Sequence, residues 1–188
     1  MPFDHFGLIA PIFSRVGYGS TEDMLKHANL PTAGRVLDAG GGTGRVANAI
    51  REQAGEVIIA DPSLGMLRQA DRTRLRLACS NSESLPFPSG IFERVLMVDA
   101  LHHVINQRHT ARELYRVLKP GGRIVIEEPD IRTFGVKMIA VAEKLLLMRS
   151  HFLSPEQIVG LFLFDSAKAN IHAAEGSAWI VIEKPEQA

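Results

Sequence analysis

Glycines at alternate positions are the first residues in this sequence whose type and spacing could do chemistry. Gly40, Gly42 and Gly44 follow an apolar run that ends at Asp38. Because glycine lacks a side chain, such a loop lets the backbone approach a ligand closely. The helix expected after the loop offers free N–H groups and a partial positive charge at its N-terminus. The spacing predicts a binding loop of a kind that several nucleotide-binding folds share.

Two carboxylates accompany this loop. Asp38 precedes it, and Asp61 ends the next apolar run about 20 residues on, where a carboxylate can accept hydrogen bonds from two ribose hydroxyls. The alternative for Asp61 is a helix N-cap for the segment after Pro62; the ribose role is favoured. The Gly-X-Gly-X-Gly spacing also differs from the Gly-X-Gly-X-X-Gly pattern of dinucleotide sites, which argues against a nicotinamide-dependent oxidoreductase.

Adjacent histidines follow a third buried run. His102 and His103 lie where the carboxyl end of that strand is expected, and histidine is the side chain most often used as a general base. Adjacent side chains point in different directions, so at most one is expected to face a ligand. The alternative for either is a helix-start residue or a hydrogen-bonding role behind the site. Glu127 and Glu128, after the next strand-like run, are weaker candidates of the same kind.

The elements that must position these residues alternate in type from about Arg35 onward, which indicates an α/β fold with a largely parallel sheet. Gly55 is expected to close the first helix of this alternation in a left-handed conformation. A serine N-cap and a proline at the first position predict a further helix from Ser154. Strands are predicted at 35–38, 56–60, 75–79, 94–98, 123–127, 166–171 and 178–183, and helices at 21–28, 45–53, 107–118 and 131–150.

Several segments together resemble one family. Residues 36–45 and 61–67 resemble the first two motifs of class I S-adenosylmethionine-dependent methyltransferases, and 84–93, 99–104 and 114–122 resemble its later motifs in order and spacing. The subgroup that the chain resembles is the ubiquinone/menaquinone-biosynthesis C-methyltransferase-like (methyltransferase type 11-like) proteins. The resemblance implies a Rossmann-like, doubly wound, mostly parallel seven-stranded sheet with an antiparallel C-terminal hairpin.

The resemblance also implies a cofactor, S-adenosyl-L-methionine, with S-adenosyl-L-homocysteine as the product. The backbone at Ala39 and Gly40 would hold its methionine part, Asp38 would order the amino group through water, and Asp61 would hold the ribose. Met66 would contact adenine or, with equal weight, fill the core. The cofactor-binding residues implied are Asp38, Ala39, Gly40, Gly42, Gly44, Asp61, Pro62, Met66, Asn81, Ser82 and Asp99.

One of these positions departs from the subgroup. Asn81 stands where an aspartate usually accepts a hydrogen bond from the adenine amine, and an asparagine carbonyl would make an uncharged and weaker contact. Ser82 would lie beside it, and the backbone carbonyl of Asp99 would lie near the sulfonium. His102 or His103 would be the catalytic base if the acceptor needs one, and no metal is expected.

The acceptor pocket is expected to come from outside the motif core. Its walls are predicted in the N-terminal segment, at Phe6, Ile12, Phe13 and Tyr18, and in the segment from Ile131 to Phe152. Arg149 and His151 are weaker candidates for a polar contact with the acceptor. Because the walls are apolar, the acceptor is expected to be a small apolar or aromatic molecule. Packing on the sheet, a dimer contact and docking to a membrane surface are alternatives for these walls.

The expected organisation is a single methyltransferase domain, 1–188. It comprises an N-terminal lid segment 1–30, a cofactor-binding core 35–128, an acceptor-side helical segment 131–153 and an edge hairpin 166–184. The alternative function is a non-catalytic or regulatory protein that retains the fold and cofactor binding. Either a monomer or a homodimer is compatible with the sequence.

Composition bounds the partners and the compartment. The 188 residues include 21 basic and 21 acidic side chains, and this balance argues against a nucleic-acid partner. No apolar run approaches the roughly 20 residues that span a bilayer, and no signal-peptide pattern is seen at the start. Cys79 is the single cysteine, which excludes an internal disulfide. A cytoplasmic protein is expected, with Cys79 as a buried core residue.

Overall fold

The computed structural model describes residues 20–138, 150–163, 166–174 and 176–186. The predicted acceptor walls at Phe6, Ile12, Phe13 and Tyr18, the candidate Arg149 and the start of the lid segment lie outside the described residues.

Strands and helices follow each other along the chain as the sequence predicts, except that most of the predicted helix 131–150 lies outside the described residues. The strands are β1 Thr32–Ala39, β2 Ala54–Asp61, β3 Arg76–Cys79, β4 Phe92–Val98, β5 Leu118–Pro129, β6 Lys168–Ala173 and β7 Ser177–Glu183. The helices are α1 Thr21–Ala28, α2 Arg45–Ile50, α3 Leu64–Leu67, α4 Gln107–Val117 and α5 Pro155–Leu161, with short 3-10 turns at Arg51–Gln53 and Leu101–His103.

The strands form one seven-stranded sheet in the order β3-β2-β1-β4-β5-β7-β6. β1 to β5 are mutually parallel, whereas β7 runs antiparallel to both β5 and β6. The order reverses between β1 and β4, so the loops after these strands diverge and leave a crevice at their carboxyl ends. The predicted Rossmann-like sheet with an antiparallel C-terminal hairpin is confirmed.

Both faces of the sheet are covered, which is why its central strands read as continuous apolar runs. On one face, Leu37, Met97 and Ile126 pack with α4 and α5. On the other face, Val36 and Leu96 pack with α1 and α2. The strands whose carboxyl ends carry the candidate site residues are therefore packed on both faces.

The ends of the two outer helices follow local sequence rules. Ser20 begins α1 by accepting a hydrogen bond from the Asp23 backbone N–H. Ser154 begins α5 with a full capping box to Gln157, and Pro155 occupies the first turn as predicted.

Two of the local expectations are wrong. Gly55 lies inside β2 instead of closing a helix, and a Cβ atom there would come within 2.0 Å of the Ala33 carbonyl oxygen. Its glycine is required by the close approach of β1. Cys79 is exposed instead of buried, because it ends β3 at an edge of the sheet.

Candidate functional site

A cavity of about 450 Å³ opens at the carboxyl ends of β1, β2 and β4, in the crevice where the strand order reverses. This volume is within the range of small-molecule sites. Its walls come from the glycine loop, the segment after β2, the loop after β3 and the loop after β4. Predicted cofactor residues on its walls are Asp38, Gly40, Gly42, Asp61, Pro62, Met66, Asn81, Ser82 and Asp99.

The glycine loop folds back on the sheet before α2 begins. The N–H of Gly40 donates to the carbonyl oxygen of Ala60 at 2.7 Å. Gly40 has a φ of +73°, and a Cβ atom there would lie 2.7 Å from the Cβ of Ala100. Gly42 also has a positive φ, of +53°. Only glycine fits this turn without strain, so bare backbone faces the cavity.

Asp61 joins the end of β2 to the glycine loop. Its Oδ2 accepts from the Gly42 N–H at 2.9 Å, and its Oδ1 accepts from the Ser63 N–H at 2.7 Å. The carboxylate is buried yet lines the cavity. The helix N-cap after Pro62 is Ser63, whose Oγ accepts from the Met66 N–H, so the N-cap alternative for Asp61 is wrong.

Asp38 lies under the loop and lines the floor of the cavity. Its Oδ2 accepts from the Ala47 N–H at 3.1 Å, which ties the end of β1 to the first turn of α2. Burial raises the pKa of Asp38 to about 7, and the charge of nearby Asp61 adds to the rise. Asp38 therefore keeps its proton to higher pH than an exposed aspartate does, and a cationic ligand group beside it would favour the ionised form.

The far wall of the cavity combines a thioether with polar side chains. Met66 is half-buried, and its Cε comes within 3.5 Å of the position that a Cβ atom on Gly42 would take. It therefore stands on the cavity wall, so core filling, its alternative role, does not describe it. Ser82 is buried and Asn81 is exposed at the rim.

The loop after β4 forms the remaining wall. Asp99 adopts a φ of +53°, and its N–H donates to the Glu127 carbonyl oxygen at 2.8 Å. Asp99, Ala100 and His103 all line the cavity. The loop is fixed at its far end by Glu83, whose Oε1 accepts from the Ile105 N–H at 2.9 Å.

His102 is buried behind this wall. Its Nδ1 lies 2.6 Å from Oε2 of Glu128, and its Nε2 lies 3.9 Å from Oδ1 of Asp99. The other oxygen of Glu128 accepts from the N–H groups of Ala100 and Leu101, at 3.0 and 2.6 Å. Glu128 thus fixes both the backbone of the loop and the ring of His102.

His103 is the histidine at the cavity wall. Its ring contacts that of His102, with 3.9 Å between centroids, and its Nδ1 lies 3.3 Å from the Ser150 hydroxyl. Burial lowers the pKa of His103 to about 3, and the neighbouring His102 lowers it further in the same direction. The ring is therefore neutral at physiological pH. As expected from their adjacency, the two histidines have different environments.

Glu127 points to the opposite face of the sheet from Glu128. It is buried, one carboxyl oxygen accepts from the Ser177 hydroxyl at 3.2 Å, and the other has no partner among the described residues. Burial raises the pKa of Glu127 to about 7. It does not line the cavity, so the structure does not bring it to the predicted site.

The predicted and observed walls differ at a few positions. Ala39 is fully buried in β1, and Gly44 serves as N-cap of α2, so neither lines the cavity. Sequence reasoning missed Arg45, Glu83 and Ile105, which do line it. Arg45 had a sequence signal, since it ends the first matched motif, whereas Glu83 and Ile105 lie just outside the matched motifs and had none.

Residues 150–152, near the end of the segment predicted to face the acceptor, contact the histidine pair. The Phe152 ring stacks on His102 at 4.4 Å with a 14° angle between planes, and the His151 N–H donates to the His102 carbonyl oxygen at 2.7 Å. Among the described residues, no set of three or more His, Cys, Asp or Glu side chains could hold a metal ion. Within the same ranges, no helix has the length and apolarity needed to cross a membrane.

Comparison with known proteins gives the family from sequence and the fold from solved structures. Residues 37–126 match the family model "Methyltransferase domain". A demethylmenaquinone methyltransferase from Clavibacter sepedonicus is 38% identical over 171 residues, which cover 77% of this chain and 70% of that protein. The ubiquinone/menaquinone biosynthesis C-methyltransferase UbiE of Coxiella burnetii is 36% identical over 115 residues, or 55% of this chain.

The chain spans about half the length of several of these relatives, 46% in the case of the Coxiella burnetii protein. Among solved structures, an S-adenosylmethionine-dependent methyltransferase from Thermotoga maritima superposes with a TM-score of 0.79 at 22% identity. The superposition covers 97% of this chain and 100% of that one. At this identity the likeness shows a shared fold.

Proposed function

The chain belongs to the class I S-adenosylmethionine-dependent methyltransferases, in the ubiquinone/menaquinone C-methyltransferase-like group, and from this we propose that it methylates a small apolar or aromatic acceptor. The observation that carries the cofactor part of the proposal is the Asp61 carboxylate at the cavity wall. Gly42 and Ser63 hold it there through two backbone N–H groups. A carboxylate has about four lone-pair sites, so it can accept two ribose hydroxyls besides these bonds.

The cofactor fits the residues that surround the cavity. Bare backbone at Gly40 and Gly42 admits the methionine part beside the strand ends, where Cβ atoms would otherwise intrude. Asp38 supplies a carboxyl that an ammonium group would ionise on binding. Met66 and Ser82 supply one apolar and one polar contact for an adenine ring. Asn81 at the rim would accept from the adenine amine without a charge.

When bound, S-adenosylmethionine supplies a sulfonium methyl group that is already activated, so no covalent bond to the protein is required. The chain's own residues align the acceptor and exclude water. Asp99 and Ala100, held by Glu128, define the wall nearest the strand switch. Val104 and Ile105 extend that wall as an apolar surface.

A ring carbon that accepts a methyl group must also lose a proton. In this proposal His103, at the cavity wall, accepts a hydrogen bond from the methyl-accepting molecule or removes a proton from that molecule. A neutral imidazole can do either, because it has a lone pair at one ring nitrogen. His102 lies behind it with Glu128 and fixes the ring position. Because His103 holds a proton weakly, it would release the proton to water once the methyl group has moved.

The acceptor class rests on the apolar wall and on the names of the relatives. Those names are ubiquinone/menaquinone biosynthesis C-methyltransferase and demethylmenaquinone methyltransferase, which indicates acceptors of the hydroquinone type. A hydroquinone would place an aromatic ring against Val104 and Ile105 and a hydroxyl near His103. A cytoplasmic location, a small-molecule partner and a monomeric or dimeric state remain predictions.

The experiment is transfer of a tritium-labelled methyl group from S-adenosylmethionine to demethylmenaquinol, with a polar amine of similar size as the comparison acceptor. Label is expected on the hydroquinone ring carbon, and little label on the amine. Preference for the amine would contradict the acceptor class. Tight binding of S-adenosylhomocysteine without transfer to either acceptor would favour the non-catalytic alternative.

A further inference from the structure

Residues 150–152 are fastened to the loop after β4 by contacts that the motif core does not supply. The His151 N–H donates to the His102 carbonyl oxygen at 2.7 Å. The side-chain amide of Gln107 donates to the carbonyl oxygens of His151 and Leu101, at 2.7 and 3.1 Å. Two of these bonds hold His151 on the loop, and the third ties the same Gln107 amide to Leu101 of that loop.

The same stretch touches both histidine rings. Phe152 stacks on His102, and the Ser150 hydroxyl lies 3.3 Å from Nδ1 of His103. The backbone bonds of His151 lie between these two contacts along the chain, so they set the position of both side chains. Ser150 is half-buried, which protects its hydrogen bond from competition with bulk water.

The partner of one imidazole nitrogen decides the chemistry of the other. In a neutral histidine only one nitrogen carries hydrogen, and a hydrogen bond from Nδ1–H to an acceptor favours the tautomer whose lone pair is on Nε2. The Ser150 hydroxyl can accept a bond from Nδ1–H, and it can equally donate to an unprotonated Nδ1, which would leave the hydrogen on Nε2. A base that uses its Nε2 lone pair requires the first arrangement, and the proposed function therefore selects it. With no acceptor at Nδ1, the two tautomers would be populated according to the remaining surroundings of the ring.

We propose that Ser150 is a positioning residue that fixes the tautomer of His103, with hydrogen on Nδ1 and the lone pair on Nε2. Gln107 holds Ser150 in place through the backbone of His151. This inference rests on the proposed function for its effect on turnover. The tautomer itself is a property of the chain and is measured without any acceptor.

Nitrogen NMR on the full chain with isotope-labelled histidine measures the tautomer, because protonated and unprotonated ring nitrogens differ widely in chemical shift. The His103 signals are assigned by their loss in His103→Ala. In the wild-type chain, we expect Nδ1 to carry the hydrogen. In Ser150→Ala, we expect the two nitrogen shifts to move toward each other, and in Ser150→Thr, which keeps the hydroxyl, we expect them to return.

Turnover is the second readout. Ser150→Ala should lower kcat about tenfold, the scale of one lost hydrogen bond, while S-adenosylhomocysteine affinity stays unchanged. Ser150→Thr should recover most of the loss. Gln107→Leu should reproduce the Ser150→Ala effect, and the double variant should be no worse than either. Ser89→Ala is the matched control, since Ser89 is exposed and bonds only to Arg116 among the described residues.

Unchanged His103 nitrogen shifts in Ser150→Ala would overturn the inference, and so would hydrogen on Nε2 in the wild-type chain. An enzyme with the expected tautomer but no methyl transfer to any acceptor would instead count against the proposed function alone. Equal losses of kcat in Ser150→Ala and Ser150→Thr would also contradict the inference about Ser150, because its hydroxyl would then have no effect on turnover.

Discussion

At the scale of single residues, the two histidines differ in what they can touch. His103 lines the cavity, whereas His102 is buried between Glu128 and Phe152. Their chemistry should differ accordingly. A ring at the wall can meet the acceptor, and a ring behind it can act only through the loop that it holds.

Replacing His103 by alanine should lower kcat by about 100-fold, at the lower end of general-base effects, because the acceptor would lose its proton acceptor. His102→Ala should lower kcat less, by loosening the loop after β4. Steady-state kinetics with demethylmenaquinol, together with S-adenosylhomocysteine calorimetry, would measure both effects. Binding of the product should be retained.

His109→Ala is the matched control, since His109 is exposed on α4 and does not line the cavity. Equal turnover in His102→Ala, His103→Ala and the control would remove histidine from the mechanism.

The sequence supports some residue assignments and not others, for a physical reason. Asp61 ends β2 and Gly42 follows β1, and these two strands are parallel neighbours. The contact between the two residues therefore follows from local sequence patterns. Which histidine faces the cavity depends on Glu128 from β5 and on Ser150, far along the chain. The adjacency of His102 and His103 in the sequence indicated that only one of them faces the cavity, but it could not show which one.

At the scale of elements, the glycine loop is the part with the least freedom to change. Gly40→Ala would force a side chain into the left-handed region and against Ala100. We expect S-adenosylhomocysteine affinity to fall at least about tenfold, since the strain of about 1–2 kcal/mol would be relieved by moving the loop. Calorimetry on the purified variant would measure it.

Gly160→Ala provides the comparison within an ordinary helix. Gly160 lies in α5, and a Cβ atom there would meet nothing within 4 Å. We expect the free energy of unfolding to rise by about 0.5–1 kcal/mol, because alanine loses less backbone entropy in a helix. Unchanged affinity in Gly40→Ala would show that the loop does not contact the cofactor.

Element types were predictable because apolar runs and caps are local, and Ser154 shows this well. Gly55 shows the limit of such prediction. A glycine is needed there because the backbone of the neighbouring strand β1 lies close to it, and this contact is between residues far apart in the sequence. Cys79 is exposed for the related reason that β3 is an edge strand, a fact of topology.

At the scale of the whole molecule, buried carboxyls link stability to pH. The pKa of Asp38 is about 7 in the folded chain, against 3.8 for an unperturbed aspartate. Between these values the folded state holds a proton that the unfolded state has lost, so stability falls as pH rises through this window. Glu127, with a pKa of about 7, acts in the same direction.

We therefore expect Asp38→Asn, which cannot ionise, to reduce the loss of unfolding free energy between about pH 5 and pH 8, by on the order of 2–4 kcal/mol. Urea unfolding of the ligand-free chain at several pH values would measure the slope. Adding Glu127→Gln should flatten it further. Equal slopes in wild type and Asp38→Asn would mean that Asp38 is ionised throughout.

The cofactor site is the claim on which the rest depends, and calorimetric titration with S-adenosylhomocysteine tests it most directly. Wild-type protein should bind one equivalent, and Asp61→Ala should bind about 1–3 kcal/mol more weakly, the scale for hydrogen bonds to a charged group. Asp71→Ala, at an exposed carboxylate away from the cavity, should bind as wild type. No binding by the wild-type chain, or equal binding by Asp61→Ala, would contradict the assignment.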